Sequence, residues 1–164
     1  MLCRQSFFVK STTSKRKGII IMLIFEYTEI YDYPASIVFS RLVDLKGRPS
    51  WIKGIMETQV TPEGPAQLGT KYFESGKYSG FKSEKNMIVA ELVQDQLLTM
   101  ETVPDEKQSF RESYRIEPIS DQSCRIHFSI QVDNVPKVAE FFMRQSMKKE
   151  QRQTAAGLKA VLKG

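Results

Sequence analysis

The chain has 164 residues, enough for one domain that buries about two thirds of its unfolded surface and needs no staples. Apolar residues make up 41% and charged residues 26%, which excludes a disordered or fibrous chain. The formal net charge of +5 is confined to the start: residues 1–21 hold Arg4, Lys10, Lys15, Arg16 and Lys17 and no acid, and removing these from 24 basic residues leaves 19, equal to the 19 acidic ones. The body of the chain is therefore neutral, and its summed charge gives no steering toward nucleic acid.

Residues 1–18 are polar, basic and rich in Ser and Thr, and a seven-residue apolar run follows, Ile19 to Phe25. That run stops at Glu26, lacks a small-residue cleavage site, and is far below the ~20 residues a membrane span needs. Lys rather than Arg dominates the cluster at 15–17, unlike an organelle transit peptide. The expectation is a dispensable basic tail over 1–21 and a single domain over 22–164. Cys3 falls in the tail and Cys124 in the body, so no structural disulfide is expected and a reducing, cytoplasmic setting fits.

Met22 to Tyr31 is rich in β-formers and predicts a strand. Pro34 suits the first turn of a helix, and Ile37 to Val43 carries apolar residues at helical spacing. Gly47 and Pro49 end that helix, and Trp51 follows in a turn or a second short helix. Ile55 to Val60 predicts a strand, and Thr61 to Pro65 a loop. Gly69 leads into a strand through Phe73, with a hairpin marked by Ser75-Gly76 and Ser79-Gly80. Further strands are predicted over 82–93, 97–103 and 108–117, the last ended by Pro118. The clearest strand is 125–132, where Cys124, Ile126, Phe128, Ile130 and Val132 alternate with Arg125, His127, Ser129 and Gln131. From about Val135 to Lys163 the composition is helical, with Asp133 or Asn134 as cap and Pro136 in the first turn. Met143, Met147, Ala155, Leu158 and Leu162 fall on one face, and Gly157 invites close packing there. Strands joined by short turns imply an antiparallel sheet, whose apolar face only the last helix can cover. The fold class is α+β.

The stretch from Tyr31 to Trp51 contains Pro34, Ala35, Val38, Phe39, Asp44, Pro49 and Trp51 in an order that resembles the opening of the polyketide cyclase/dehydrase and START-like superfamily. Gly64, Pro65, Gly69 and Thr70 resemble its Gly-Pro…Gly-Thr approach to a strand, and Leu158, Lys159 and Leu162 its terminal Leu-Lys-x-x-Leu helix. The similarity covers roughly residues 23–163. The resemblance implies a helix-grip fold, a seven-stranded antiparallel sheet wrapped around the C-terminal helix, with two short helices after the first strand. It also implies a ligand of lipid, polyketide, quinone or steroid size, but not one chemistry.

One histidine, no Cys-x-x-Cys pair and no phosphate-binding glycine loop leave no metal site and no cofactor implied. His127 alternates with Ile126 and Phe128, so it faces solvent. Glu112 shares strand parity with Phe110, Tyr114 and Ile116 and is expected to face the helix; a buried carboxylate must be paired or protonated. A bulge would instead turn it outward. Tyr72 and Tyr114 offer hydroxyls to a mixed pocket, or serve as core aromatics. Trp51 lines a pocket mouth or anchors the short helices, and Met143 and Met147 line a pocket or fill gaps. Phe141 and Phe142 would gate the pocket or form a homodimer patch. Arg144, Lys148, Lys149 and Arg152 form a basic stretch, most simply a solvated face.

Three functions remain open. The first is binding of an apolar small molecule, with Trp51, Tyr72, Phe110, Glu112, Tyr114, Met143 and Met147 as ligand-binding residues. The second is a cyclase/dehydrase-type enzyme using Glu112 and a tyrosine as acid/base groups. The third is a protein-interaction module that needs no pocket.

Overall fold

The computed structural model describes residues 20–78, 81–106 and 108–164; the basic tail of the sequence reading, except its last two residues, lies outside them. Strand β1 (Ile20–Tyr31) leads into helix α1 (Ala35–Leu42) and a single 3-10 turn (Arg48–Ser50). Strands β2 (Ile55–Thr61), β3 (Lys71–Tyr78), β4 (Phe81–Val93), β5 (Leu97–Thr102), β6 (Phe110–Ser120) and β7 (Ser123–Pro136) follow, and helix α2 (Lys137–Leu162) ends the chain. The strands form one antiparallel sheet in the order β1-β7-β6-β5-β4-β3-β2. The helix-grip architecture expected from the sequence is therefore the observed one. β1 starts two residues before Met22, and Ile21 is already buried.

Register shifts interrupt the pairing at Ile21/Leu23, Ile55/Glu57, Val89/Glu91 and Pro118/Ser120. Each such irregularity adds local twist and bend, which curls the sheet so that its concave face can close on a helix. The alternation in β7 holds: Cys124, Ile126, Phe128 and Val132 are buried, while His127 is exposed and bonded to Thr28 and Glu117.

Two boundaries differ from the sequence reading for identifiable reasons. Pro118 does not end β6. The Ile116 N–H donates to the carbonyl of Gln96, the residue just before β5, and Pro118, two residues on, would aim its missing N–H to the same side, beyond the start of β5, so no ladder bond is lost. Asp133 and Asn134 do not cap α2; they extend β7. Asn134 adopts φ 58° at the β1–β7 bulge, a left-handed conformation that Asn tolerates better than most residues. Pro136 is the N-cap and makes no side-chain cap bond.

Helix α2 buries Met147, Gln151, Ala155, Leu158 and Leu162 along one face. Its C-terminal half packs on the main core, which contains Val38, Phe39, Leu42, Trp51, Tyr72, Leu98, Tyr114 and Phe128. Met147, in its first half, joins a smaller cluster with Ile21, Leu23, Phe25, Val132 and Val135. Gly157 is the point of closest approach: a Cβ there would lie 2.1 Å from the Trp51 carbonyl oxygen.

Leu158→Ala should cost about 2–5 kcal/mol in urea unfolding, because the side chain is fully buried. Gly157→Ala should also lower the melting temperature, since the clash with the Trp51 backbone outweighs the ~1 kcal/mol gained in helix propensity. A stabilised Gly157→Ala variant would show that the contact is not as tight as described.

Candidate functional site

The concave face carries charge. On β3 the inward residues are Tyr72, Glu74 and Gly76, and on β6 they are Glu112, Tyr114 and Ile116. Two carboxylates on a buried face require a cation, and the 3-10 turn supplies it. Asp44 Oδ1 accepts the Gly47 N–H at 3.0 Å, and Pro49 fixes the next backbone angle. This directs Arg48, 2% exposed, into the interior.

The Arg48 guanidinium donates from Nε to Glu74 Oε2 at 3.0 Å and from Nη2 to Glu112 Oε2 at 2.7 Å. Its Nη1 lies 3.4 Å from the Tyr114 hydroxyl and 3.9 Å from Met100 Sδ. Tyr114 in turn donates to Glu112 Oε1, so both Glu112 oxygens are engaged. Lys85 Nζ sits 3.4 Å from Glu74 Oε1, and the Tyr78 hydroxyl 3.5 Å from the same oxygen. The Trp51 ring lies 6.0 Å from the guanidinium carbon, and Lys85 stands 3.9 Å over the Phe110 ring. Two cations, two carboxylates and two tyrosines thus form one internal network. Among the described residues the hydroxyl of buried Tyr72 has no hydrogen-bond partner, nor have Thr58 Oγ1 and Gln151 Nε2.

Burial opposes the charge on Arg48, but the carboxylates of Glu112 and Glu74 outweigh it and hold the guanidinium firmly protonated. Burial likewise pushes the Glu74 carboxyl up, and the positive charges of Arg48 and Lys85 overcome it, leaving the group below its ordinary value. Tyr72, Tyr78 and Tyr114 are all raised, chiefly by burial, and remain hydrogen-bond donors throughout the physiological range.

A cavity of about 340 Å³ opens beside this network, between the middle of α2 and the turn after the 3-10 helix; Lys53, Gly54, Lys77, Lys149, Glu150 and Gln153 line it. Neither the network residues nor Trp51, Tyr72, Phe110, Glu112, Tyr114, Met143 and Met147 line it; the Tyr78 ring packs on Gly54, where a Cβ would lie 2.5 Å away, and its hydroxyl reaches Glu74.

Of the residues singled out from sequence, Trp51, Tyr72, Glu112 and Tyr114 are buried in and around the network. Phe110 is half-buried and packs against both core clusters, and Met147 is buried with half-buried Met143 beside it in the smaller one. Glu112 faces inward as its parity predicts, but beside a guanidinium rather than apolar walls alone. Sequence reasoning missed Arg48, Glu74 and Lys85. The parity of Tyr72 places Glu74 inside, and that signal was readable; nothing in the local pattern marks Arg48 as buried. Among the described residues no cluster of His, Cys, Asp and Glu could hold a metal ion, and no helix is long and apolar enough to cross a membrane.

Residues 22–163 match the sequence model of the family "polyketide cyclase / dehydrase and lipid transport". The chain belongs to this family. Comparison with curated protein sequences gives no match. Among solved structures, the Zhui aromatase/cyclase of a Streptomyces species superposes with TM-score 0.73 at 11% identity, over 87% of this chain and 94% of that one. A START superfamily protein from Mycobacterium smegmatis gives 0.72 at 12%, over 85% and 97%. Human STARD10 gives 0.64 at 14%, over 92% and 72%. At these identities the likeness is one of fold, and the family membership rests on the sequence match.

Arg48→Met should destabilise the protein by about 3–5 kcal/mol, since it leaves buried Glu112 without a cation and Glu74 with Lys85 alone; urea unfolding measures it. A carboxyl held below its unfolded value stabilises the fold above that value and loses the contribution as pH falls through the folded pKa. Stability should therefore drop as pH falls below the ordinary Glu value of 4.5. Glu74→Gln should be less stable at neutral pH and show a shallower acid limb; an unchanged limb would remove Glu74 from this role.

Proposed function

We propose that the chain binds a small, mostly apolar molecule between the concave sheet face and α2, with its polar end at the internal charge network. The observation that carries this reading is the Tyr72 hydroxyl, without a hydrogen-bond partner among the described residues and buried on the same face as the Arg48–Glu74–Glu112 network. An orphaned buried hydroxyl is costly, and a ligand oxygen would satisfy it. Phe110, Met143 and Met147 provide the adaptable apolar wall, and Trp51, Tyr114 and Glu112 the opposite end. The family description, which joins cyclases with lipid transport, supports a ligand of this kind. No reservoir of metal or cofactor is invoked.

A second reading, cyclase or dehydrase chemistry, draws on the hydrogen bond from Tyr114 to Glu112, an acid/base pair by residue type. Binding without turnover is the better-supported reading, because a carboxylate with one oxygen on Arg48 and the other on Tyr114 has little capacity left to take a substrate proton. The network then orients and polarises rather than transfers protons.

Native mass spectrometry of the purified protein should reveal an adduct of small-molecule mass that disappears under denaturing conditions. Met147→Trp should displace it by filling the apolar wall, and Glu112→Gln should retain it. A chain without any adduct, and without thermal stabilisation by fatty acids, quinones or aromatic polyketides, counts against ligand binding. Chemical conversion of a bound ligand, abolished in Glu112→Gln, would establish the enzyme reading instead.

A further inference from the structure

The first turns of α2 present large apolar side chains to water. Val138 is 85% exposed, Phe141 64% and Phe142 72%, and the two rings pack edge-to-face on each other, 5.8 Å between centroids. Three apolar residues within five positions of one helix need an explanation. We propose that this end of α2 is a docking surface for an anionic lipid bilayer.

Charge selects the partner. Residues 137–149 contain four basic residues, Lys137, Arg144, Lys148 and Lys149, and one acid, Glu140; that acid is ion-paired to Arg144. Lys53, Lys77 and Lys149 line the neighbouring cavity with one acid, Glu150, so its lining too carries net positive charge. Apolar side chains that include an aromatic pair, set among positive charge on a helix, have the composition of an interfacial membrane contact: aromatic rings enter the headgroup boundary, and Lys and Arg meet anionic lipid. A second copy of the chain fits poorly, because a two-fold interface would bring these like charges together. A protein partner would more commonly meet a face whose centre is depleted of charge.

The surface stands apart from the internal ligand reading, and vesicle binding tests it without any ligand. The full chain should co-sediment with vesicles of phosphatidylcholine mixed with phosphatidylserine, and only weakly with phosphatidylcholine alone. Binding should fall as salt rises, since charge contributes to it. Phe141→Ser/Phe142→Ser, at exposed positions, should keep the wild-type melting temperature and lose about tenfold in vesicle affinity. Equal binding by the variant, or no binding of wild type to anionic vesicles, overturns the proposal. So does a wild-type dimer in sedimentation velocity that the double variant converts to monomer, which would assign the face to self-association.

Discussion

A guanidinium sealed inside a curled sheet organises this molecule. Taking one such ion from water into a dry interior costs several kcal/mol even after relaxation. Arg48 is tolerated because its partners come from two strands that are not neighbours: Glu74 from β3 and Glu112 from β6, with β4 and β5 between them. In a flat sheet those strands would stand about 14 Å apart at ordinary spacing. Curvature of the sheet brings the two carboxylates toward one guanidinium, so the ion pairs and the curl support each other. The turn that carries Arg48 also sets Trp51 beside the guanidinium and its backbone against Gly157 of α2.

The two halves of α2 do different work. From Ala155 onward the helix is locked to the main core through Leu158 and through the close approach at Gly157. Ahead of Met147 the helix carries half-buried and exposed side chains, and the cavity borders its middle. The two halves thus pack on different clusters: the C-terminal half on the main core, and Met143 and Met147 on the smaller one.

Much of this was legible before any coordinates. Period-two alternation located β7, and the parity of Phe110, Tyr114 and Ile116 placed Glu112 on the inner face. The helical face of α2 was readable from Met147, Ala155, Leu158 and Leu162, though buried Gln151 on that face was not, because a polar residue in a helix is ordinarily assigned to solvent. Arg48 was illegible for the same reason in stronger form: arginine is almost never fully buried unless paired, and its pairing depends on sheet curvature, a property of the assembled fold. Pro118 misled because proline stops a strand only where its missing N–H would have had a partner.

Strand β7 ends at Pro136 and α2 begins at Lys137, so no linker separates sheet from helix. At its far end the same helix is pinned against the Trp51 backbone. Mechanically it is a beam held at both supports, so any motion lifting it off the sheet would have to strain the β7 junction at one end or break the Gly157–Trp51 contact at the other.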